Sequence, residues 1–210
     1  MAQSTFAKLI ECTLFLLVCS CSGQKGARSI EEIAKEIVIA QPDTSLYATL
    51  KGYKADSLLF QVERTDAETA VDCRDALQQG EFLGGVCEGN KYAIVLTPDT
   101  RQARRVVNLT ELSGQWFYDE SENRGFTFTT AGALSSINPD KFSFKKWKLH
   151  NGRLILYYIN IDEVVRNSRD YHTDTTEIDR LSADELVFRF RDETLHCVRK
   201  KEAIKVQLKF

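Results

Sequence analysis

The sequence has few residues that break regular structure, with only three prolines and eleven glycines in 210 residues. This content weighs against low-complexity disorder. The chain also lacks a block of like charge, because Lys and Arg are interleaved with Asp and Glu and the formal net charge is −2. A basic block is what steers a protein to nucleic acid. We therefore expect an ordinary folded protein with no nucleic-acid partner.

Motifs for catalysis and cofactor binding are also missing. The sequence contains no Gly-x-Ser-x-Gly, no His-Glu-x-x-His, no phosphate-binding loop and no Cys-x-x-Cys pair. Asp170, His172, Asp174, Glu177 and Asp179 bring oxygen and nitrogen donors close together. A solvated strand edge explains them better than a metal site, because no second His is nearby. The sequence predicts no enzyme, no cofactor and no metal centre.

The leader contains one apolar run, from Cys12 to Ser20, which is too short for a membrane-spanning helix of about 20 residues. Its length suits the central region of a signal peptide. The segment Val18-Cys19-Ser20-Cys21 resembles the lipobox of bacterial lipoproteins. The resemblance implies that residues 1–20 are a signal peptide and that a lipidated Cys21 anchors an exported protein in the cell envelope, in the periplasm or at the surface, with the outer membrane favoured. The alternative is a simple cleaved signal with an incidental cysteine.

Residues 21–44 begin as a small, basic tether and continue as one short amphipathic helix. Ser29 and Glu32 match a capping box, and the helix is predicted from about Ile30 to Ala40, before Gln41-Pro42. Its apolar face consists of residues at helical spacing: Ile30, Ile33, Ala34 and Ile37. The helix contains three glutamates and one lysine, and this acidic charge disfavours binding to a membrane surface. We therefore expect the helix to pack on the following domain.

Residues 45–110 contain brief β-type runs that begin at Leu46, Ser57, Lys91 and Arg104. With turn-forming segments between them, they predict a small β-domain of about five strands, resembling an oligonucleotide-binding (OB) barrel in topology only. Residues 67–79 are ambiguous between a short helix and an edge strand. Topology does not give function, and a basic, aromatic-lined face is missing, so the domain is not interpreted as a nucleic-acid binder.

Three cysteines lie outside the leader, at positions 73, 87 and 197. In an exported protein, a disulfide between Cys73 and Cys87 would close a loop of about 15 residues and stabilise the fold by about 3 kcal/mol. The sequence leaves this bridge and a pair of free thiols equally open. With the bridge formed, Cys197 would be an odd thiol, buried rather than reactive.

Residues 111–210 show regular strand signals with polar turns between them, which indicate an up-and-down meander that closes on itself. Asn151-Gly152 suits a two-residue type I′ turn, because both central positions need positive φ. Counting outward pairs Leu149 with Leu154, Trp147 with Leu156 and Lys145 with Tyr158 on one face. Lys148 then opposes Ile155, and Lys146 opposes Tyr157, on the other. The Trp147 face is predicted to point inward, and Lys146 and Lys148 to mark the solvent side.

Short motifs recur along this second half: Gly114-x-Trp116, Phe126-x-Phe128 before Gly132, Trp147-x-Leu149, Leu154-x-Leu156, Asp184-Glu-Leu-Val187 and a last strand ending at Arg199. Together they resemble the compact lipocalin-like domain common in lipoproteins of gut Bacteroidetes. The resemblance implies a mainly all-β fold, with a lipocalin-like barrel over 111–210 after the small β-domain. It also implies that Trp116 lies at the barrel floor under Arg199, with Arg189 and Arg191 as competing candidates.

The barrel interior has two interpretations. The inward residues could line a site for a small apolar or amphipathic ligand: Phe126, Phe128, Trp147, Leu149, Leu154, Leu156 and Tyr158. Aromatic residues at strand spacing are more often plain core, and fewer than 90 residues leave short strands, so the interior could be solid. A solid barrel would favour an accessory that docks a protein partner in the envelope. A void of several hundred Å³ at an open mouth would favour ligand binding.

Overall fold

The computed structural model describes residues 42–119, 121, 123–165 and 170–200. The predicted signal peptide, Cys21 and the predicted helix from Ile30 to Ala40 lie outside these residues. Within them the chain is mainly β, as predicted, and its helices are short: α1 Arg74–Gln78, α2 Leu109–Leu112 and α3 Ile161–Val165. None of the helices in the described ranges is long and apolar enough to cross a membrane.

The N-terminal module is built from β1 Leu46–Lys54, β2 Ser57–Val62, β3 Glu68–Val71, β4 Phe82–Leu83, β5 Lys91–Leu96 and β6 Ala103–Asn108. Their order in the sheet is β3-β2-β1-β5-β6-β4, and β4 runs parallel to β6. An isolated parallel bridge between Asp72 and Gln102 brings the end of β3 beside the start of β6. The five longer strands therefore form a partly closed ring of OB topology, with α1 following β3.

One feature of this module differs from the sequence prediction, and one that the sequence left open is resolved. A sixth strand, β4, is present, and at two residues it is too short to leave an alternating pattern in the sequence. The ambiguous segment 67–79 contains both of the proposed elements, because β3 ends at Val71 and α1 begins at Arg74.

The candidate disulfide between Cys73 and Cys87 is not formed, since the structure holds both as free cysteines. Cys73 is 2% exposed and belongs to the core of the N-terminal module. Cys87 is exposed at the surface. The two thiols occupy different environments, and their sulfur atoms contact different carbonyls, those of Val71 and Glu88. Spacing in sequence could not reveal this separation.

The C-terminal module is a succession of antiparallel strands: β7 Gly114–Tyr118, β8 Gly125–Phe128, β9 Leu134–Ile137, β10 Phe142–His150, β11 Arg153–Asn160, β12 Tyr171–Thr176, β13 Ile178–Leu181, β14 Glu185–Phe190 and β15 Glu193–Val198. The sheets have the orders β13-β14-β15-β7-β8-β9 and β10-β11-β12. A bridge between Ala133 and Lys146 joins β9 to β10. Only Glu177 separates β12 from β13, so one bent strand links the two sheets at the other seam. The result is an up-and-down ring that closes between β15 and β7.

The β10–β11 hairpin follows the predicted register near its turn. Asn151 has φ +50° and Gly152 has φ +78°, as a type I′ turn requires. The predicted pair of Lys145 with Tyr158 is wrong, because a β-bulge lies between Phe144 and Lys146 and Tyr158 pairs with Phe144. The bulge adds one residue on β10 and keeps an aromatic side chain facing inward, where simple counting would have placed a lysine.

The two modules share a continuous core. Leu83, Ala93 and Val107 of the N-terminal module lie in the same hydrophobic cluster as Leu112 and Trp116. Hydrogen bonds cross the boundary as well: Gly84 N donates to Leu181 O at 3.0 Å, Arg105 Nη2 to Ile178 O at 2.8 Å and Tyr47 Oη to Leu149 O at 3.2 Å. The N-terminal module therefore packs against the end of the barrel that holds the β10–β11 turn.

Candidate functional site

Trp116 lies at the barrel floor and is fully buried. Its indole Nε1 donates a hydrogen bond to the carbonyl of Leu112 at 2.8 Å, so the last residue of α2 fixes the ring. Helix α2 is held in turn by Asn108, whose side chain accepts a hydrogen bond from Glu111 N as an N-cap. The indole is thereby buried without leaving its N–H unpaired.

Arg199 closes the floor over Trp116, with its guanidinium carbon 4.1 Å from the ring centroid. The same guanidinium donates to the carbonyls of Ser113, at 2.9 Å, and Glu111. Gly114 makes room for it, because a Cβ at this position would collide with Arg199 Nη1, and its φ of +116° suits only glycine. The competing candidates lie elsewhere: Arg189 Nε is 3.8 Å from Asp179 Oδ2, and Arg191 lies over the Phe142 ring.

The seven residues proposed as ligand lining are all 5% exposed or less and belong to the core cluster. Their rings interlock edge to face, with Phe126 5.4 Å from Phe128 and Phe128 5.2 Å from Trp147. Phe126 also contacts Phe144 and Phe188, each at 5.8 Å. This packing fills the lower barrel with its own side chains. None of the seven lines the partly apolar pocket at the other end of the barrel.

That pocket lies at the mouth of the barrel, at the end away from α2, and has a volume of about 620 Å³. Its walls are the ends of β7, β9 and β14 and the beginnings of β8, β10 and β15. The apolar part of the lining consists of Tyr118, Ile137, Phe142, Phe144, Phe190 and Leu195. Phe144 and Phe190 are 5.0 Å apart and form its floor, where they meet Tyr158 of the core.

Charged groups surround the apolar lining of this mouth pocket. Arg124 pairs with Asp140, and Asp119, Lys141, Glu193 and His196 also belong to the rim. Because the two signs are mixed, the rim presents no strong field of one sign. Burial raises the pKa of Tyr118 to about 12, so its phenol stays protonated near neutral pH and can donate a hydrogen bond.

Helix α3 lies beside the mouth on the inner side of the barrel. Its Glu163 Oε2 is 2.7 Å from His172 Nε2, and the His172 ring stacks on Tyr158 at 5.5 Å. Tyr158 is paired with His172 across β11 and β12 and points into the core. The His172 that we weighed as a metal ligand is thus part of this contact. The described residues contain no group of three His, Cys, Asp or Glu side chains placed to hold a metal ion.

A second, polar groove of about 490 Å³ lies where the two modules meet. It is lined by Gln79, Glu81, Arg104, Arg105, Asn151, Arg153 and Glu177. Glu81 neutralises Arg105 at 2.6 Å, and Glu177 lies 3.6 Å from Arg153. All of its lining side chains are polar or charged, and Arg105 joins the two modules through its hydrogen bond to Ile178 O.

The sequence reasoning missed most of the residues that line the mouth pocket. Phe142 and Phe190 continue the inward alternation of Phe144 and Phe188, and that signal was available. The pocket itself is non-local, because six strand ends contribute to it. Cys197 is buried in the core, as expected for a free thiol, and burial raises the pKa of its thiol to about 12, so it is not a nucleophile.

The fold and the site together define a binding-type β-barrel with a closed floor and an open mouth. Comparison with known families shows that residues 108–200 match the lipocalin-like family. One similar solved structure is a lipocalin-like protein from Bacteroides thetaiotaomicron VPI-5482, 26% identical, with a TM-score of 0.36, and the match covers 42% of this chain and 97% of that chain. The comparison with curated proteins found no match. The lipocalin-like domain predicted from the sequence is therefore confirmed for residues 108–200, and the lipocalin-like family is in general a binding fold rather than a catalytic one.

Proposed function

We propose that this protein is a lipid-anchored lipoprotein of the cell envelope whose barrel binds a small amphipathic ligand at its mouth. The observation that carries the proposal is the mouth pocket of about 620 Å³, with its aromatic floor and charged rim. Small-molecule sites occupy about 300 to 1,000 Å³ and combine an apolar lining with a few polar groups. The pocket has this size and an aromatic floor, although most of its other lining residues are polar or charged.

The filled lower barrel limits what such a ligand can be. Because Phe126, Phe128 and Trp147 occupy the interior, the apolar part of the ligand must end at Phe144 and Phe190. A long acyl chain running down to Trp116 would need these rings to move. The mixed rim favours a neutral or zwitterionic head group over a strongly charged one. We therefore expect a compact amphiphile with one aromatic or short aliphatic part.

A second candidate function is an accessory that docks an envelope protein, and the filled barrel interior favours it. Native mass spectrometry of the protein purified from its own envelope separates the two. A bound species of a few hundred daltons supports the ligand proposal. A retained polypeptide with an otherwise empty barrel supports the accessory, and bare protein under gentle conditions contradicts ligand binding.

Leu195→Arg is expected to block the pocket, because Leu195 lies in its wall and a long charged side chain would fill the mouth. Titration with the neutral fluorescent amphiphile N-phenyl-1-naphthylamine should show binding weakened at least about tenfold, or about 1.4 kcal/mol. Leu77→Arg is the matched control, since Leu77 is 50% exposed on α1. Equal binding by both variants would contradict the pocket assignment, provided that tryptophan fluorescence shows an intact core.

Cys21→Ser is expected to abolish membrane association, because the thiol is the group that accepts the lipid. Detergent phase partitioning of cell extracts measures the effect: the wild type should enter the detergent phase and Cys21→Ser the aqueous phase. Cys19→Ser is the matched control and should behave as the wild type. If Cys21→Ser stays in the detergent phase, the anchor is elsewhere.

A further inference from the structure

The outer face of β11 carries an apolar column that the sequence did not reveal. Pairing places Leu154, Leu156 and Tyr158 inside the barrel, so Ile155, Tyr157 and Ile159 point outward. An outward side chain on a surface sheet ordinarily faces solvent. Ile155 and Tyr157 are nevertheless only 1% and 0% exposed, and neither belongs to a core cluster of the described residues.

Neighbouring side chains on the sheet do not account for this burial. Tyr157 lies between Lys146 and Thr173, and Ile155 between Lys148 and Thr175. Lys146 is exposed, with its Nζ 6.0 Å from the Tyr157 ring. A buried aromatic ring hides about 150 to 250 Å² of surface, more than one lysine stem can cover. Helix α3 places its Glu163 against His172, whose ring stacks on the inward-pointing Tyr158, so this contact of α3 lies on the inner side of the barrel and not on the outer face.

The described chain begins beside this face. Asn151 Nδ2 donates to Pro42 O at 3.2 Å, and Asn151 N donates to Asp43 Oδ1 at 3.0 Å. Asn151 is the tip of the β10–β11 hairpin, so residue 42 is tied to the end of the strand that carries the column. The amphipathic helix predicted from the sequence ends two residues earlier, at Ala40. Only a short connection would separate that helix from the outer face of β11.

The predicted helix also matches the apolar column of β11 in length and in charge. The column from Ile155 to Ile159 is about 13 Å long at a rise of about 3.3 Å per residue. The predicted apolar stripe from Ile30 to Ile37 is about 10 Å long at 1.5 Å per residue. The column is flanked by Lys146 and Lys148, and the predicted helix carries Glu31, Glu32 and Glu36. The opposite charges favour this pairing.

The C-terminal residues 201–210 suit the outer face of β11 less well than residues 30–40. Arg199 lies at the floor beside β7, and β7 and β11 are on opposite sides of the ring. Residues 201–210 also contain Lys201, Lys205 and Lys209 against a single Glu202. A basic segment would be repelled by Lys146 and Lys148.

We infer that residues 30–40 dock as an amphipathic helix on the outer face of β10–β12, with Ile30, Ile33, Ala34 and Ile37 against Ile155, Tyr157 and Ile159. The docked helix would fix the position of the barrel relative to the tether at residues 21–29. With a lipid on Cys21, the orientation of the mouth relative to the membrane would be restricted. The docking itself does not depend on the proposed function.

Hydrogen–deuterium exchange of the full-length chain tests the docking. Amides of residues 30–40 should be protected in the wild type and exchange at least about tenfold faster in Tyr157→Asp, which places a charge against the apolar stripe. Tyr53→Asp is the matched control, because Tyr53 is 66% exposed on the N-terminal module. Unprotected residues 30–40 in the wild type would overturn the inference. So would unchanged protection in a folded Tyr157→Asp.

Photo-cross-linking in the otherwise unchanged chain keeps the test valid if Tyr157→Asp fails to fold. Benzoylphenylalanine at Ile33 should cross-link within the same chain to peptides of β10–β12. Placed at Lys35, on the opposite side of the predicted helix, it should give little of this product. A product with the N-terminal module, a second copy or a lipid would overturn the inference. Cross-linking of the β10–β12 face to residues 201–210 would also overturn the inference, because it would show that the C-terminal segment covers this face.

Discussion

Replacing Trp116 with Ala is expected to lower the free energy of unfolding by about 3 to 5 kcal/mol, the range for deleting a large aromatic side chain from a core. The ring is fully buried, its Nε1 is bonded to Leu112 O, and Arg199 lies over its face. Removing it leaves a cavity at the joint between α2 and the barrel. It also leaves the guanidinium of Arg199 above an empty space.

Denaturant titration followed by circular dichroism measures this loss for Trp116→Ala. Phe117→Ala is the matched control, because Phe117 is the next residue of β7, only half-buried, and points outward towards Lys200. Its cost should be much smaller, about 1 kcal/mol. An equal loss of unfolding free energy in the two variants, or a loss under 1 kcal/mol in Trp116→Ala, would show that Trp116 does not stabilise the barrel floor as proposed.

The barrel and its floor were predictable because their signals are local or carried by short motifs. The Asn151-Gly152 turn sets a register by itself, since few dipeptides accept positive φ at both positions. The Gly114-x-Trp116 pattern pointed to the floor through its resemblance to the lipocalin-like domain, and the structure explains why glycine is needed there. Its missing Cβ leaves space for Arg199, which arrives from the far end of the sequence.

Other features could not be predicted, for identifiable reasons. The bulge at Phe144 and Lys146 changes a register by one residue, and alternation is equally regular on either side of it. The bend at Glu177 separates two strands that would otherwise count as one. The free state of Cys73 depends on its burial in the N-terminal core. Each depends on contacts between distant residues rather than on local composition.

The candidate site likewise depends on contacts between distant residues. Trp147 and Leu156 were correctly placed inside, but pointing inward does not distinguish a ligand wall from a packed core. That distinction depends on how six strand ends spread at the mouth, and only the fold shows it. Lys146 and Lys148 made the outer face look solvated, and the burial of Tyr157 beside Lys146 has no signal in the sequence.

Gly125→Ala is expected to be among the most destabilising single substitutions in the barrel, at about 3 kcal/mol or more, the upper end for overpacking. Gly125 pairs with Phe117 at the start of β8. A Cβ there would collide with the carbonyl oxygen of Trp116 and lie 2.8 Å from Phe117 Cα. Both obstacles are backbone atoms of the neighbouring strand, so relief requires β7 and β8 to separate. Separation would also disturb Tyr118 and the mouth pocket.

Gly85→Ala provides the matched control for Gly125→Ala. A Cβ at Gly85 would lie 2.9 Å from Glu111 Oε1, the end of a flexible side chain that can rotate away. Neither glycine has a positive φ, so steric contact alone separates the two substitutions. Denaturant titration should show a much larger loss of stability for Gly125→Ala, and binding of N-phenyl-1-naphthylamine should weaken only in that variant. Equal stabilities would show that β7 and β8 tolerate a side chain at Gly125, and that their close approach does not hold the mouth in shape.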